Sequence, residues 1–537
     1  MNKTKLYLGI IILLASIVRL YKLGSNPPSL YWDEVSLGYN AYSILTTGRD
    51  EHGEWFPISR FIAFGDYKPP GYIYAAVPSL AFFGRNEFAV RFPSALAGIV
   101  SVLVTFFLVK ELFTRENYGR QVGLLSAFLL AISPWHIHLS RGAFEANLAM
   151  FFNLFAVTLF IYGTRKNWLL SFSVVFFVLS FYTFNANRII APLLLFFLSV
   201  FYFKKILRAK WWSLVAVFLG IALIFPTLSY LGTRESRLRF QEVSIFTNLE
   251  PLRQSNDRIA RDGNTFVSRV IHNRRFVYAR EFLIHYMDHF KGEFLFIKGD
   301  RNPRLSVQEI GEMYLIEFPF LIIGLYMLMV RRDIVSAVFF AWFLIVPIPA
   351  GLSRETPHAL RTVSILPLLQ IAVGLGLWRF YSWLANRNKK VFISLYSFLL
   401  FLSVFYYLHN YYVHYPTIWS GEWQYGYKEM VAKVTKIEKN YDTVVVTKAL
   451  GRPYIYFLFY QPVAPSVYWQ TRRADRDWAG LWEVYGMGKY HFDLADIPKL
   501  VGKKLIVAKP SEMPKEAKIL DTIKQLDGEI VFEIGEL

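Results

Sequence analysis

SVLVTFFLV (101–109), LLLFFLSVFYF (193–203) and FLIIGLYMLMV (320–330) decide the class of this chain, because their apolar residues form long runs with no polar face recurring at a helical or strand period. Crossing about 30 Å of hydrocarbon takes roughly 20 mostly apolar residues in a helix, and these stretches meet that demand in context. Working outward from them, 54% of the 537 residues are hydrophobic and 18% aromatic, and the mean hydropathy is +0.31. This places the chain in the membrane class. The formal net charge of +19 would suggest nucleic acid in a soluble protein. Here the cations cluster between apolar runs, where they orient spans and meet anionic lipid, so no nucleic-acid partner is expected. The sequence contains no cysteine, which excludes disulfides, thiol nucleophiles and thiolate metal sites.

The amino terminus, MNKTK and then an apolar run to about Leu20, reads as a retained first span. Basic clusters follow at Arg115 and Arg120, at Arg165 and Lys166, from Lys204 to Lys210, at Arg331 and Arg332, and from Arg387 to Lys390. Placing all of them inside with the amino terminus leaves one full span before Arg115, at about Phe88 to Phe113. The stretch GYIYAAVPSLAFFG, interrupted by Pro78, becomes an interfacial or re-entrant helix. The expected architecture is an α-helical polytopic membrane domain over 1–410 with roughly 11 to 13 spans. Long outward loops lie at about 22–87 and 232–311. A small extracytoplasmic α/β domain over 411–537 completes the chain, with EWQYGYKEMVAKVTKIEKN and EAKILDTIKQLD as helices and YDTVVVTK and KKLIVAK as strands.

The outward segments hold the residues able to do chemistry. SLYWDEVSLGYNAYSILTTG places Asp33 and Glu34 at the start of an amphipathic helix ending near Gly48. Asp33 caps that helix or acts as a base on a hydroxyl, and the two roles are compatible. In GDYKPPGYIYAAVPSLAFFG, two prolines hold Lys68 at the membrane surface, where it meets a phosphate or snorkels to headgroups. SPWHIHLSRGAFEANLAMFF carries Arg141 and Glu145 four apart at the start of the next span, so they are expected to share a face and satisfy one another's charge. His136 and His138 point to different sides of a helix and read as structural. His285 and His289 have helical spacing without a supporting glutamate motif, and read as part of a packed interfacial helix rather than a zinc site. FLFIKGDRNPRLSVQEIGEMY and SRETPHALRTVSILPLL bring Arg304, His358 and Arg361 to the surface, to bind a lipid-linked phosphate or to pair with headgroups. This inventory suits group transfer from a lipid phosphate: the departing phosphate needs cations, and the acceptor hydroxyl needs a carboxylate base.

The order YWDE, KPPGY, NEFAVRFPSALAGIVSVLVTFFLVKELF and SPWHIHLSRGAFEANLAMFF resembles the GT-C superfamily of polyprenyl-phosphate-sugar glycosyltransferases over about the first 200 residues. The resemblance is nearest to the branch holding protein O-mannosyltransferases and the lipid A aminoarabinose transferase. GDRNPRLS, TPHALR and RPYIYFLFY are similar to a prokaryotic subgroup. The resemblance implies inverting transfer of a sugar from a polyprenyl phosphate to an acceptor at the outer face of the cell membrane. It implies Asp33 as catalytic aspartate with Glu34 as acidic neighbour, and Lys68 as a ligand of the carrier phosphate. Arg91 matches an arginine of the mannosyltransferase branch, or anchors the outer end of its span. Glu145 stands where several relatives carry aspartate, so no metal and no cofactor is expected. The partners implied are the lipid donor, the bilayer and a protein, lipid or glycan acceptor. The competing reading is a lipid-linked sugar flippase or transporter, against which stands the placement of most ionisable residues at span ends.

Overall fold

The computed structural model describes residues 3–64, 66–233, 236, 244–476 and 482–537. Among the described residues, five helices are long and apolar enough to cross a membrane: Glu87–Leu112, Glu145–Gly163, Trp211–Leu231, Ile334–Gly351 and Asn386–Ile418. Three bent pairs raise that number to eight if each pair is one span. Two shorter apolar helices, Gly71–Phe83 and Leu169–Phe181, add to the apolar set. The first helix, Lys3–Leu20, is apolar between Lys5 and Arg19. The expected span Phe88 to Phe113 is the helix Glu87–Leu112, and GYIYAAVPSLAFFG forms a 13-residue helix with Pro78 inside it, too short to cross alone.

The chain divides into two compact units. The first comprises Met1–Arg19, Leu96–Ser140 and Glu145–Tyr407, and the second Leu20–Ala95, Arg141–Phe144 and Leu408–Leu537. The terminal α/β region therefore packs in one unit with the first long loop.

In the first unit the basic connectors gather at one end. Arg165 pairs with Glu111 at 2.8 Å, Arg331 with Glu116 at 3.2 Å, and Lys205 donates to Thr164. At the opposite end of the helices the indole of Trp135 donates to the Ala359 carbonyl, and His138 bonds the Arg304 carbonyl at 2.9 Å. Helices Phe318–Arg331 and Leu368–Trp383 pack with almost no gap. A Cβ on Gly324 would lie 1.8 Å from the Ala372 carbonyl oxygen, and one on Gly376 would lie 1.9 Å from that of Phe320. Small residues that let backbones touch are the usual means of holding helices together in lipid, where apolar burial gives no driving force.

In the second unit, strands β1 (Phe61–Ala63) and β2 (Asp66–Lys68) form a hairpin. The terminal region carries β3 (Thr443–Val446), β4 (Arg472–Arg476), β5 (Trp482–Met487), β6 (Tyr490–His491), β7 (Lys504–Ala508), β8 (Lys518–Lys524) and β9 (Ile530–Glu536) in one sheet of order β4-β5-β6-β3-β7-β9-β8. β3 is parallel to both its neighbours. Its run TVVV and the KLIVA of β7 are buried almost throughout, as central strands with both faces covered should be. The segment EWQYGYKEMVAKVTKIEKN contains the expected helix, Tyr427–Ile437. EAKILDTIKQLD is not a helix but the edge strand β8. Asp527-Gly528 turns the chain back, with Gly528 at φ +94° and Gln525 N–H donating to the Glu529 carbonyl, so pairing with β9 overrides the helical spacing of Ile519, Ile523 and Leu526.

Candidate functional site

The helix Trp32–Thr47 is held at its start by the two acidic residues in different ways. Glu34 accepts from the Tyr31 N–H at 3.3 Å and so satisfies the first free donor of the helix, a role expected of Asp33. The far end closes at Gly48, whose φ of +70° is the usual left-handed stop. The expected amphipathic character is absent, because residues from Glu34 to Ala41 are all buried.

Glu34 and Arg91 are both fully buried and form a two-pronged pair, Nε to Oε1 and Nη2 to Oε2, each at 2.9 Å. Arg91 donates its other protons to the carbonyls of Leu23, Pro27 and Ser29. Glu34 also accepts from the Ala143 N–H at 2.7 Å. One ion pair thus fixes the loop 23–29, the start of the helix and the segment 141–144. Fully hydrogen-bonded ions of this kind persist in an apolar interior because no donor or lone pair is left over.

Asp33 lies in a different setting. Its carboxylate is one-third exposed, and Oδ1 takes a 2.5 Å bond from Lys68 Nζ, whose side chain is 6% exposed. Lys68 ends β2, opposite Phe61, with its ammonium 6.0 Å from the centre of the Phe64 ring. Hairpin and helix together therefore present one part-exposed carboxylate backed by a buried ammonium.

The terminal region completes this site. Gln424 Oε1 accepts from the Trp32 N–H at 2.8 Å and from the Tyr456 hydroxyl at 2.7 Å. Trp423, fully buried, lies under the Arg91 guanidinium at 5.5 Å. Glu51 accepts from the Tyr454 hydroxyl at 2.6 Å and from Asn40 Nδ2 at 3.2 Å, which ties Trp32–Thr47 to the helix Pro453–Tyr460. Burial pushes the Glu51 carboxyl up to about 7 and that of Asp50 to about 6, while burial beside Arg472 and Arg60 takes His52 down to about 3. The sequence reading passed over Glu51 and Gln424. The cluster Asp50-Glu51-His52, next to Gly48, was the available signal.

Arg141 and Glu145 do not share a helix face. Arg141 ends the helix Pro134–Arg141, and Glu145 begins Glu145–Gly163, because the chain breaks between them at 142–144. Arg141 is fully buried and donates to the carbonyls of Tyr21 and Asn26, both at 2.8 Å, and to the Tyr411 hydroxyl at 3.1 Å. Glu145 is half-buried in a first helical turn, where the helix dipole favours a carboxylate.

Arg304, His358 and Arg361 belong to the first unit. Arg361 donates to Ser353 Oγ at 2.7 Å, and Arg304 bonds the Asn302 side chain through its own N–H at 3.0 Å. The His358 ring lies 3.8 Å from the buried Asp300 carboxylate. Burial, with Arg361 nearby, holds His358 well below the usual imidazole range. Burial also raises Asp300 to about 6. His358 thus offers a hydrogen bond and no charge at neutral pH. His289 accepts from the His358 N–H at 3.1 Å. Among the described residues no cluster of three or more His, Asp or Glu side chains is arranged to hold a metal ion.

The apolar helices describe a multi-pass membrane protein, and comparisons with known proteins find relatives and solved structures that it resembles. The family model described as dolichyl-phosphate-mannose-protein mannosyltransferase matches residues 9–182, the stretch that carries Asp33, Lys68, Arg91 and Arg141. The curated protein "Putative mannosyltransferase YkcB" of Bacillus subtilis (strain 168) is 27% identical over 239 residues, 42% of this chain and 32% of the relative. The match therefore spans about a third of that relative's length. Among solved structures, ArnT from Cupriavidus metallidurans in the apo state superposes with a TM-score of 0.57 at 12% identity, covering 100% of this chain and 98% of that one. Its structure bound to undecaprenyl phosphate gives 0.55 at 13% identity, covering 98% and 97%. The resemblance to the GT-C superfamily read from the first 200 residues thus holds in the family model and in the fold.

Proposed function

We propose that this protein is an inverting glycosyltransferase that moves a sugar from a polyprenyl phosphate to an acceptor hydroxyl at the outer face of the cell membrane. The observation that carries this reading is the division of labour between adjacent carboxylates. Glu34 is consumed by Arg91 and by the backbone N–H groups of Tyr31 and Ala143, whereas the Asp33 carboxylate is one-third exposed and takes its ion pair from Lys68. Support for the donor class comes from the mannosyltransferase family model over this stretch.

In this mechanism the acceptor oxygen attacks the anomeric carbon from the face opposite the phosphate, and Asp33 removes the hydroxyl proton. The bond from the anomeric carbon to the phosphate oxygen breaks, its electron pair stays on the phosphate, and Lys68 offsets the added charge. In the absence of donor Lys68 neutralises Asp33. A donor phosphate competes for that ammonium and frees the carboxylate to act as base, which couples donor binding to activation of the acceptor. Glu34 and Arg91 position Asp33 and do not touch the substrate. On the sequence reading Arg304, His358 and Arg361 are assigned to binding a lipid-linked phosphate, and Arg141 and Glu145 to substrate binding.

The amino terminus and the basic connectors lie in the cytoplasm and 411–537 outside, on the rule that Lys and Arg in short connectors stay inside. The test is transfer of radiolabelled sugar from a panel of synthetic polyprenyl phosphate sugars to membrane extracts, with purified wild type beside Asp33→Asn. Transfer falling by a factor of about 100 or more, with unchanged thermal unfolding, supports the reading. Equal transfer by both would remove Asp33 as base, and no transfer with any donor would favour a flippase.

A further inference from the structure

The helix Asn386–His409 is loosely attached to the first unit. Only 11% of its most apolar window is buried, against 72% for Glu87–Leu112. Between it and helices Lys3–Leu20, Gly119–Ile132 and Leu368–Trp383 runs a groove of about 890 Å³, at the upper end of the size range typical of small-molecule sites.

The groove has a polar end and an apolar end. Gln121, Ser382 and Lys389 mark one end, at the start or finish of their helices, and Leu14, Ile132 and Val404 mark the other. Lys389 to Val404 is 15 residues, about 22 Å of helix rise, which exceeds the roughly 15 Å depth of one hydrocarbon leaflet. At the polar end Arg379, Arg387, Lys389 and Lys390 make no ion pair among the described residues, whereas Arg165 and Arg331 at the same end of the unit each have a carboxylate partner. Among the described residues Lys389 is engaged by the Asn386 side chain at 3.2 Å and the Tyr381 ring at 5.1 Å. Part-way along, the buried Tyr396 hydroxyl has no partner among the described residues. An apolar trough long enough for one leaflet, with unneutralised cations at its mouth, matches an amphiphile with an anionic head.

We propose that this groove binds one anionic phospholipid of the leaflet on the basic side, with an acyl chain between Asn386–His409 and Gly119–Ile132 and the phosphate among Arg387, Lys389 and Lys390. The bound lipid supplies packing that the protein alone leaves missing around Asn386–His409. This assignment stands apart from the transfer reaction.

The experiment uses the full chain in phosphatidylcholine nanodiscs, titrated with phosphatidylglycerol, with retained lipid counted by native mass spectrometry. Wild type is expected to retain one phosphatidylglycerol at a concentration at least tenfold below that needed for phosphatidylcholine. Ser397→Trp, which fills the groove, and the triple change Arg387→Gln, Lys389→Gln, Lys390→Gln at the mouth should each abolish that preference. The pair Lys204→Gln and Lys205→Gln, basic residues on another helix, should keep it. Thermal unfolding of every variant checks that the chain is intact, and the triple variant, at surface positions, remains informative if Ser397→Trp misfolds. Equal retention of the two lipids, unchanged retention in the mouth variant, or displacement by polyprenyl phosphate at lower concentration would each overturn the proposal.

Discussion

Glu34 and Asp33 are adjacent in the chain and differ completely in surroundings. Glu34→Gln would leave the Arg91 guanidinium buried without its counter-ion, and breaking a buried pair from one side costs about 3–5 kcal/mol. Thermal unfolding of Glu34→Gln should therefore show a large loss of stability, while Asp33→Asn, whose own side chain is one-third exposed and whose amide oxygen can still accept from Lys68 Nζ, should lose less. A Glu34→Gln protein that melts like wild type would remove the positioning role. Lys68 tests the other half of the pair. Lys68→Met should weaken use of the lipid donor tenfold or more, and Lys68→Arg should restore part of the loss because a guanidinium also binds phosphate. Measuring KM for the donor separately from kcat distinguishes this from general damage.

The helix Trp32–Thr47 owes its place to side chains far along the sequence. Asn40 meets Glu51, Glu51 meets Tyr454, and the Trp32 N–H meets Gln424. This contact set titrates. Glu51 ionises near its usual value in the unfolded chain and only near 7 when folded. Between about pH 4.5 and 7 the folded state therefore holds a proton that the unfolded state has lost, and stability falls as pH rises through that window. Asp50, raised to about 6, acts in the same direction. At about 1.4 kcal/mol per pH unit the Glu51 contribution amounts to about 3 kcal/mol. Melting curves from pH 5 to 8 should show the decline, and Glu51→Gln, whose amide oxygen can accept from Asn40 Nδ2 while its NH2 donates to the Tyr454 hydroxyl and which does not titrate, should flatten it. An unchanged slope in the variant would assign the pH dependence elsewhere. The apolar spans and the helix start at Trp32 were legible because length and apolar runs are local signals. The central strands β3 and β7 were legible for the same reason. The edge strand β8 was not, since its Ile and Leu spacing fits a helix and only the Asp527-Gly528 turn and pairing with β9 decide otherwise. The partners of Asp33 and Glu34 were hidden for a related cause: Lys68 is 35 residues away and Arg91 is 57, and nothing in local spacing says which carboxylate takes which cation.

At the scale of the whole molecule, the location of the reaction depends on orientation, and the chain offers a direct way to read it. The sequence has no cysteine, so any cysteine introduced is the only thiol present. The connectors joined by Arg165–Glu111 and Arg331–Glu116 define one end of the first unit, and the charge rule for short connectors proposes that end as the cytoplasmic one. Asp33 and Lys68 share a compact unit with the terminal sheet. If 411–537 is outside, as the charge rule requires, Lys515→Cys should react with a membrane-impermeant maleimide on intact cells, and Lys166→Cys should react only after permeabilisation. The reverse pattern would put the sheet in the cytoplasm and overturn transfer at the outer face. It would leave the Asp33–Lys68 pair as a candidate site on the opposite side of the membrane. Labelling of both positions on intact cells would show that the basic connectors do not fix orientation, and the net charge of +19 would then need another account.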